Sequence, residues 1–455
     1  MDSFLQALPI VLNFEVLSVI FLAAIFGLFI GSIPGLTATM ATALLIPVTF
    51  FMDPVPAIAA IVTTVATAIF AGDIPGALLR MPGTPASAAY CDEAFAMTRK
   101  GQAGQALGVG LTASVIGGLI GSTVLVFATS TLANFAFSFS SYEYFWVACL
   151  GLSCAVVISV GSAVKGLISL LIGLFISTIG IDLMSGHARY TFGVTELLGG
   201  VSFVPMLIGM FAISEIMRYA TTTAYGIRRA PDQLMTNPFK EVPQILGKYK
   251  LNLLRGSGLG AIIGVLPGAG ADMAAWIAYG TSKKFSKERE KFGNGHVEGL
   301  IDASAANNAG LSGAWVPALV FGIPGDSITA IAIGVLYMKG LNPGPTIFYE
   351  NAELLNAVFI IFFVANLILL PLGLVAIKTS TMLLRVPQRV LMPVILMFCI
   401  VGSFAITNSI FGIAVMLSAG LLAFIMEENG FPVAPTVLGI VLGSMIEEMF
   451  LASMI

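Results

Sequence analysis

The sequence predicts an all-α polytopic membrane protein made of two inverted-topology repeats with broken helices and re-entrant hairpins. Three observations carry that expectation: a charge-poor composition, Pro-Gly motifs that recur in the same order in both halves, and loops that alternate between basic and bare. Of 455 residues, 57% are hydrophobic and 10% are charged, with a mean hydropathy of +0.97. A water-facing domain carries about 25% charged residues, so 21 basic and 24 acidic side chains are too few to coat one. An ordinary cytosolic enzyme is excluded. The formal net charge of −3 implies no nucleic-acid or acidic partner.

Apolar stretches of the ~20 residues that cross about 30 Å of hydrocarbon recur from end to end. The first set covers 15–52 (interrupted at Pro34-Gly35), 56–79, 105–129, 142–160, 164–181 and 196–217. A polar stretch, 218–255, carries Arg218, Arg228, Arg229, Lys240, Lys248, Lys250 and Arg255 against Asp232 and Glu241. The second set covers 257–281 (interrupted at Pro267-Gly268), 300–338 (interrupted at Pro324-Gly325), 354–377, 391–407, 410–426 and 433–452. The expected organisation is a first repeat at 1–217, a basic cytoplasmic connector at 218–255 and a second repeat at 256–455. No Lys or Arg precedes Arg80, so the basic region that opens a signal peptide is missing and the first span is expected to persist.

The halves are related. Gly31-Ser32-Ile33-Pro34-Gly35-Leu36-Thr37-Ala38-Thr39-Met40-Ala41 aligns with Gly264-Val265-Leu266-Pro267-Gly268-Ala269-Gly270-Ala271-Asp272-Met273-Ala274, identical at six of eleven positions. Further on, Pro75, Pro82-Gly83 and Ala88 align with Pro317, Pro324-Gly325 and Ala330. Two such blocks in one order mark a duplication. Lys and Arg collect in cytoplasmic loops. Equivalent loops have opposite character: 51–56 is bare where 283–291 is basic, Arg99-Lys100 is basic where 340–353 is bare, and 130–141 is bare where 378–389 is basic. Each half then crosses an odd number of times, and the second is upside down. Arg189 and Lys339 sit awkwardly on this map.

Other chemistries find little support. Cys91, Cys149, Cys154 and Cys399 form no CxxC pair and read as small core hydrophobes. His187 and His296 lack the spacing of a zinc site. Proline deletes a helix hydrogen bond, and the backbone groups it frees are tolerated at membrane depth only inside protein or beside a polar cavity. Four paired Pro-Gly breaks therefore point to one central region, where half-helix N-termini attract anions and opposing carbonyls attract cations. Near the breaks lie Thr37, Thr39, Thr84 and Ser87 in the first half. The second half offers Gly270, Asp272, Ser304, Asn307, Asn308, Ser312, Asp326, Ser327 and Thr329. Asp73, Asp272 and Asp326 need partners at membrane depth, or else Asp73 and Asp326 cap helices. Arg80 either reaches a substrate carboxylate or snorkels to the interface. Asp302 and Glu298 read as the solvated end of a helix, and Glu427, Glu428, Glu447 and Glu448 as interfacial.

At these residues the chain resembles the large membrane subunit of the tripartite tricarboxylate transporters, the TctA family. The blocks that carry the resemblance are Gly31-Ser32-Ile33-Pro34-Gly35-Leu36-Thr37, Gly72-Asp73-Ile74-Pro75-Gly76, Met81-Pro82-Gly83-Thr84-Pro85, Gly264-Val265-Leu266-Pro267-Gly268 and Phe321-Gly322-Ile323-Pro324-Gly325-Asp326. They span essentially the whole chain. The resemblance implies an elevator-like secondary transporter that imports di- and tricarboxylates across the bacterial inner membrane by symport. Its implied partners are a small four-helix TctB-like membrane subunit and a periplasmic TctC-like solute-binding protein, with a homodimer of the two-subunit complex as the larger assembly. A cation gradient, Na⁺ first and H⁺ second, would drive it without a cofactor, and no GxxxxGK[ST] loop occurs. In that reading substrate meets Thr37, Thr39, Gly83, Thr84, Ser87, Gly325, Ser327 and Thr329. Na⁺ meets Pro34, Gly35, Pro82, Pro267, Gly268, Gly270, Asp272, Asn307, Asn308, Pro324 and Asp326. The spans 105–129 and 354–377 would form the scaffold.

Two rivals come from other classes. An intramembrane aspartyl protease would use Asp73 and Asp326 as a proton-sharing dyad, although Gly322-Ile323-Pro324-Gly325-Asp326 only approximates the Gly-x-Gly-Asp pattern. A channel would need a ring of subunits to build its filter, which an internally paired chain does not demand.

Overall fold

The computed structural model describes residues 2–158, 162–182, 186–221, 238–384 and 388–454. Arg228, Arg229 and Asp232 of the connector, and Arg385, lie outside the described residues. In chain order the first half gives α1 (Asp2–Val11), α2 (Phe14–Gly31), α3 (Ala38–Phe50), α4 (Pro54–Ala71), α5 (Asp73–Leu79), α6 (Cys91–Arg99), α7 (Ala103–Ala136), α8 (Ser141–Ile158) and α9 (Ala163–Ser177). A two-residue antiparallel hairpin follows, β1 (Gly180–Ile181) with β2 (Ala188–Arg189), Gly180 opposite Arg189. Then α10 (Phe203–Ile208) runs through a π-turn at Gly209–Ile213 into α11 (Ser214–Thr221). The second half gives α12 (Val242–Lys248), α13 (Lys250–Gly264), α14 (Gly270–Phe285), α15 (Val297–Phe321), α16 (Ser327–Met338), α17 (Ile347–Glu350), α18 (Ala352–Leu383), α19 (Gln388–Thr407), α20 (Ile410–Glu428) and α21 (Val433–Ser453).

Among the described residues, eight helical stretches are long and apolar enough to cross a membrane. Each apolar run in the sequence contains α-helix, with a break at each interrupted Pro-Gly, but 178–181 and 196–202 lie outside α9 and α10, in the hairpin and the turns around it. Sequence reading missed α1, α6 and α12, which are too short to show as 20-residue apolar runs. It also understated α7 and α18. Their 34 and 32 residues make rods of about 50 Å at 1.5 Å per residue, longer than the hydrocarbon is thick.

The centre is built from two fully buried runs, Val55–Leu79 (α4 and α5) and Glu298–Val320 (α15). α2 packs on α4 as α13 packs on α15, and in the same register. Gly27 lies against Thr64 and Gly31 against Ala68, while Gly260 lies against Ala306 and Gly264 against Gly310, none with room for a Cβ. Aligning Pro75 with Pro317 carries Thr64 to Ala306 and Ala68 to Gly310. Without a hydrophobic drive between helices in lipid, small residues hold such pairs by close backbone approach. The long rods cross over: α7 lies along α15, and α18 lies along α4. The end helices also exchange, α9 packing on α21 and α20 on the π-turn, with Gly173 against Thr436 and Gly209 against Met416.

Polar contacts tie loops of like character together. Lys100 Nζ donates to Asn294 O at 2.6 Å, and Gln105 Nε2 to Glu241 Oε2 at 2.6 Å. The two awkward basic residues have local partners. Lys339 Nζ donates to the carbonyls of Phe50 at 2.8 Å and Met52 at 2.5 Å, where α3 ends and leaves its last C=O groups unpaired. Arg189 grips Glu447 bidentately at 2.5 and 3.0 Å, and Arg218 pairs with Glu427.

One expectation fails. Asp302 and Glu298 are buried rather than solvated. Asp302 pairs with Arg255 at 2.5 Å and accepts from Asn252 at 3.0 Å; Glu298 accepts from Asn252 at 2.7 Å and Ser286 at 2.6 Å. The reason is that α15 has neighbours on every side, so its carboxylates are paired within the protein by α13.

Candidate functional site

The four breaks differ in how the backbone turns. At the first and third, Gly35 and Gly268 sit at φ 88° and 83°, a left-handed conformation that costs an L-residue roughly 1–2 kcal/mol. At the second and fourth, glycine serves close approach instead. A Cβ on Gly83 would lie 2.6 Å from Gly72 Cα, and one on Gly325 would lie 2.8 Å from Ala314 Cα. Ala314 is the repeat counterpart of Gly72, so the same contact recurs.

Local capping explains several hydroxyls. Thr37 caps α3, accepting from Met40 N at 3.1 Å. Asp326 caps α16, accepting from Thr329 N at 2.7 Å while Thr329 Oγ1 accepts from Asp326 N at 2.8 Å. The same reciprocal box stands at the counterpart positions in the first half: Thr84 Oγ1 accepts from Ser87 N, and Ser87 Oγ from Thr84 N, both at 3.1 Å. Capping is thus what Asp326 does here. Asp73, the first residue of α5, is instead held by Tyr90 OH at 2.6 Å.

The breaks meet in a closed ring. Break one touches break two where Gly31 O would lie 3.1 Å from a Cβ on Gly83. Break two reaches break three through the Ala86 N–H, which donates to Asp272 Oδ1 at 3.0 Å, and Trp276 Nε1 donates to Pro85 O at 3.1 Å. Break three meets break four where Gly270 lies against the Asp326 side chain. Break four returns to break one where Thr39 Oγ1 stands 3.5 Å from Ser327 Oγ. Gly151 of α8 closes over Pro267 and Ile323. The ring is not sealed: Pro82, Pro85, Asp272 and Trp276 are exposed, and Pro34, Gly35, Thr37, Thr39, Pro267, Gly268, Asp326 and Ser327 are half-exposed. It presents hydroxyls, backbone N–H groups and two carboxylates, groups that bind an anion at helix starts and a hard cation at oxygens.

Of the expected residues, the ring gathers Thr39, Gly83, Thr84, Ser87, Gly270, Asp272, Gly325, Asp326, Ser327 and Thr329, with Pro34, Gly35, Thr37, Pro82, Pro267, Gly268 and Pro324 in its turns. Asn307 and Asn308 point elsewhere, toward Tyr90 OH at 3.4 Å and Ala66 O at 3.3 Å. Arg80 is exposed and pairs with Asp92 at 2.7 Å. Trp276 was missed because a lone aromatic in an apolar helix carries no signal of its own. Glu93 was missed as well. Its carboxylate accepts from Gly295 N and His296 N at 2.7 Å, from Gly293 N at 2.5 Å and from Tyr279 OH at 2.9 Å, clamping α6 to the loop before α15.

A protease dyad of Asp73 and Asp326 has no geometric support, since Asp73 bonds Tyr90 and the carboxylate charge facing Asp326 is that of Asp272. No group of three or more His, Cys, Asp or Glu able to hold a metal ion occurs among the described residues. A cavity of about 270 Å³ between α9, α10 and α20 is lined by apolar residues such as Ile176, Met206 and Phe411, with Ser418 as its one polar side chain and no cationic group to meet a carboxylate.

Comparison with known proteins gives two relatives from Agrobacterium vitis. One, an uncharacterized 52.8 kDa protein in the TAR-I ttuC' 3'region, is 32% identical over 438 residues, covering 96% of this chain and 86% of that protein. The other, an uncharacterized protein in the TAR-II ttuC' 3'region, is 33% identical over 196 residues, covering 43% of this chain and 81% of that protein. No solved structure matches. The family model of the tripartite tricarboxylate transporter TctA family matches residues 17–438. The chain is a multi-pass inner-membrane transport protein and not an enzyme, and it belongs to the TctA family.

Proposed function

We propose that this chain is the large membrane-spanning subunit of a binding-protein-dependent secondary transporter that imports di- and tricarboxylates on a cation gradient, with Na⁺ as the coupling ion. The observation that carries the reading is the ring of four Pro-Gly breaks, two from each half, which solvent reaches at Pro34, Gly35, Pro82, Pro267 and Gly268 while Gly83, Pro324 and Gly325 are buried. In it the substrate carboxylates meet the starts of α3 and α16 and the hydroxyls of Thr37, Thr39, Thr84, Ser87, Ser327 and Thr329. Na⁺ meets the carbonyls of the turns at Gly35, Gly83, Gly268 and Gly325, with Asp272 and Asp326.

The halves, 1–217 and 256–455 joined by 218–255, are read as inverted repeats. The shared register of α2 on α4 and α13 on α15 supports the duplication. The inversion is supported by loops that are equivalent in the repeats yet keep different company: 51–56 meets Lys339, whereas the loop after α14 meets Glu93 and Lys100. The ring and its supporting helices form the moving body of an elevator, and α7 and α18 the scaffold. A TctB-like four-helix subunit docks on that scaffold, two such complexes pair, and a TctC-like periplasmic protein delivers the substrate.

Uptake by proteoliposomes that contain the chain, the small subunit and the binding protein tests this. Accumulation of labelled citrate or a related di- or tricarboxylate that collapses without an inward Na⁺ gradient is expected. Uptake of no carboxylate under any cation gradient would remove the proposal.

A further inference from the structure

Asp73 is the carboxylate that the ring does not use. It begins α5, directly after Gly72, and is buried in the middle of the protein. Oδ1 accepts from Tyr90 OH at 2.6 Å, and Oδ2 has no hydrogen-bond partner. Two further oxygens nearby are also buried and unpartnered, Ser304 Oγ and Asn307 Oδ1, the latter on the amide whose Nδ2 donates to Tyr90 OH at 3.4 Å. The two oxygens of Asp73 and Ser304 converge on one spot beside α7: a Cβ on Gly110 would lie 3.6 Å from Ser304 Oγ and 3.8 Å from Asp73 Oδ2. No Lys, Arg or His forms an ion pair with Asp73 among the described residues. The titratable groups facing it are Tyr90 and Cys91. α4 and α7 contain none, and Asp302 on α15 is already paired with Arg255.

A carboxylate buried without a counter-charge either takes a proton or holds a cation. We propose that Asp73, with Ser304, Asn307 and Tyr90, is a binding site for a monovalent cation, Na⁺ or a proton, distinct from the ring. The donors are all hard oxygens, which suits both. Duplication does not explain the site, because the counterpart of Asp73 in the second repeat is Trp315, a buried core residue. The position also gives the site a consequence. The bond from Tyr90 to Asp73 ties the base of the loop that carries Pro82-Gly83, and Gly83 N donates to Gly72 O at 3.0 Å just before Asp73. Neutralising the carboxylate weakens its hold on Tyr90 and frees the second break to move. The proposal rests on the transport reading for the use of the ion, but not for its binding.

Thermal unfolding of the full chain in nanodiscs, without substrate, tests binding alone. The wild type is expected to gain several degrees in Tm with NaCl over choline chloride at fixed pH, or with lowered pH at fixed Na⁺. Asp73→Asn removes that response, and Asp73→Glu keeps part of it. Gly110→Ala fits at ordinary contact distance yet fills the spot, so it abolishes a Na⁺ response and spares a proton response, which separates the two ions. A wild type that answers neither ion, or Asp73→Asn answering as the wild type does, overturns the proposal. Should Asp73→Asn not reach the membrane, Ser304→Ala with Asn307→Ala carries the same reading. In proteoliposomes Asp73→Asn is expected to lose gradient-driven accumulation at least tenfold while retaining counterflow. Absence of uptake in the wild type would count against the transport reading and leave the cation site standing on the unfolding data.

Discussion

The backbone N–H of Ala86 donates to Oδ1 of Asp272 at 3.0 Å across 186 positions of chain. Thr39, the repeat counterpart of Asp272, meets Ser327 at 3.5 Å across 288 positions, and Ser327 is the counterpart of Pro85, the neighbour of Ala86. One contact between a half-helix start and an opposing tip is thus made twice. In the first case a carboxylate meets a backbone N–H, in the second two hydroxyls meet.

Asp272→Ala is therefore predicted to impair uptake by more than tenfold, while Thr39→Ala costs less than tenfold. A hydrogen bond to a charged group contributes about 1.5–3 kcal/mol, twice or more that of a neutral pair. Equal uptake by Asp272→Ala and wild type, at matched membrane levels, would show that this link is dispensable.

Replacing Gly268 by Val forces a branched side chain into φ 83° and against Ala155. Loss of uptake and of folded yield is expected, with Gly268→Asn milder, because Asn tolerates the left-handed region. Size-exclusion profiles with uptake assays decide. A well-folded, active Gly268→Val protein would mean that the turn is not held in this conformation.

Gly264→Val pushes α13 off α15 at Gly310. Overpacking of this kind costs about 1–3 kcal/mol, read as a lowered Tm, and Gly31→Val should cost a similar amount at Ala68. If one of the pair is silent, the two helix contacts are not equivalent in energy.

Glu93→Ala strips the acceptor from three backbone N–H groups of Gly293, Gly295 and His296. His296 is buried, and a buried N–H left unpaired costs about 1–3 kcal/mol, while Gly293 is exposed and Gly295 half-buried, so theirs cost less. The loop at 286–296 is expected to become protease-sensitive before the rest of the chain unfolds. Unchanged proteolysis kinetics would refute the clamp.

Arg80→Ala is predicted to leave uptake within twofold of wild type. The side chain is exposed and its pair with Asp92 is exposed too, so solvent screens the attraction and the pair contributes little. A large rise in KM for the carboxylate would instead place Arg80 on the substrate.

Much of this was legible in the sequence because it is written in local terms. Twenty-residue apolar runs become helices wherever water is absent, since each backbone group is then satisfied within its own segment. Pro34, Pro82, Pro267 and Pro324 each remove a donor from the ladder and stand where helices are interrupted, whereas Pro47, Pro317, Pro371 and Pro393 lie inside α3, α15, α18 and α19. The Pro-Gly blocks of the two halves align in the same order. What composition and spacing left open was decided by packing. Asp302 and Glu298 read as a solvated end because two acids near a helix start usually are, but α13 brings Arg255 and Asn252 onto them. Asp326 and Asp73 look alike in sequence, each beside a Pro-Gly motif. Only tertiary structure gives one a capping box and leaves the other half-satisfied against Tyr90, because hydrogen-bond partners come from chain that is distant in sequence and adjacent in space. The sequence by itself determined the spans and their interruptions, and tertiary structure decided which interruptions touch.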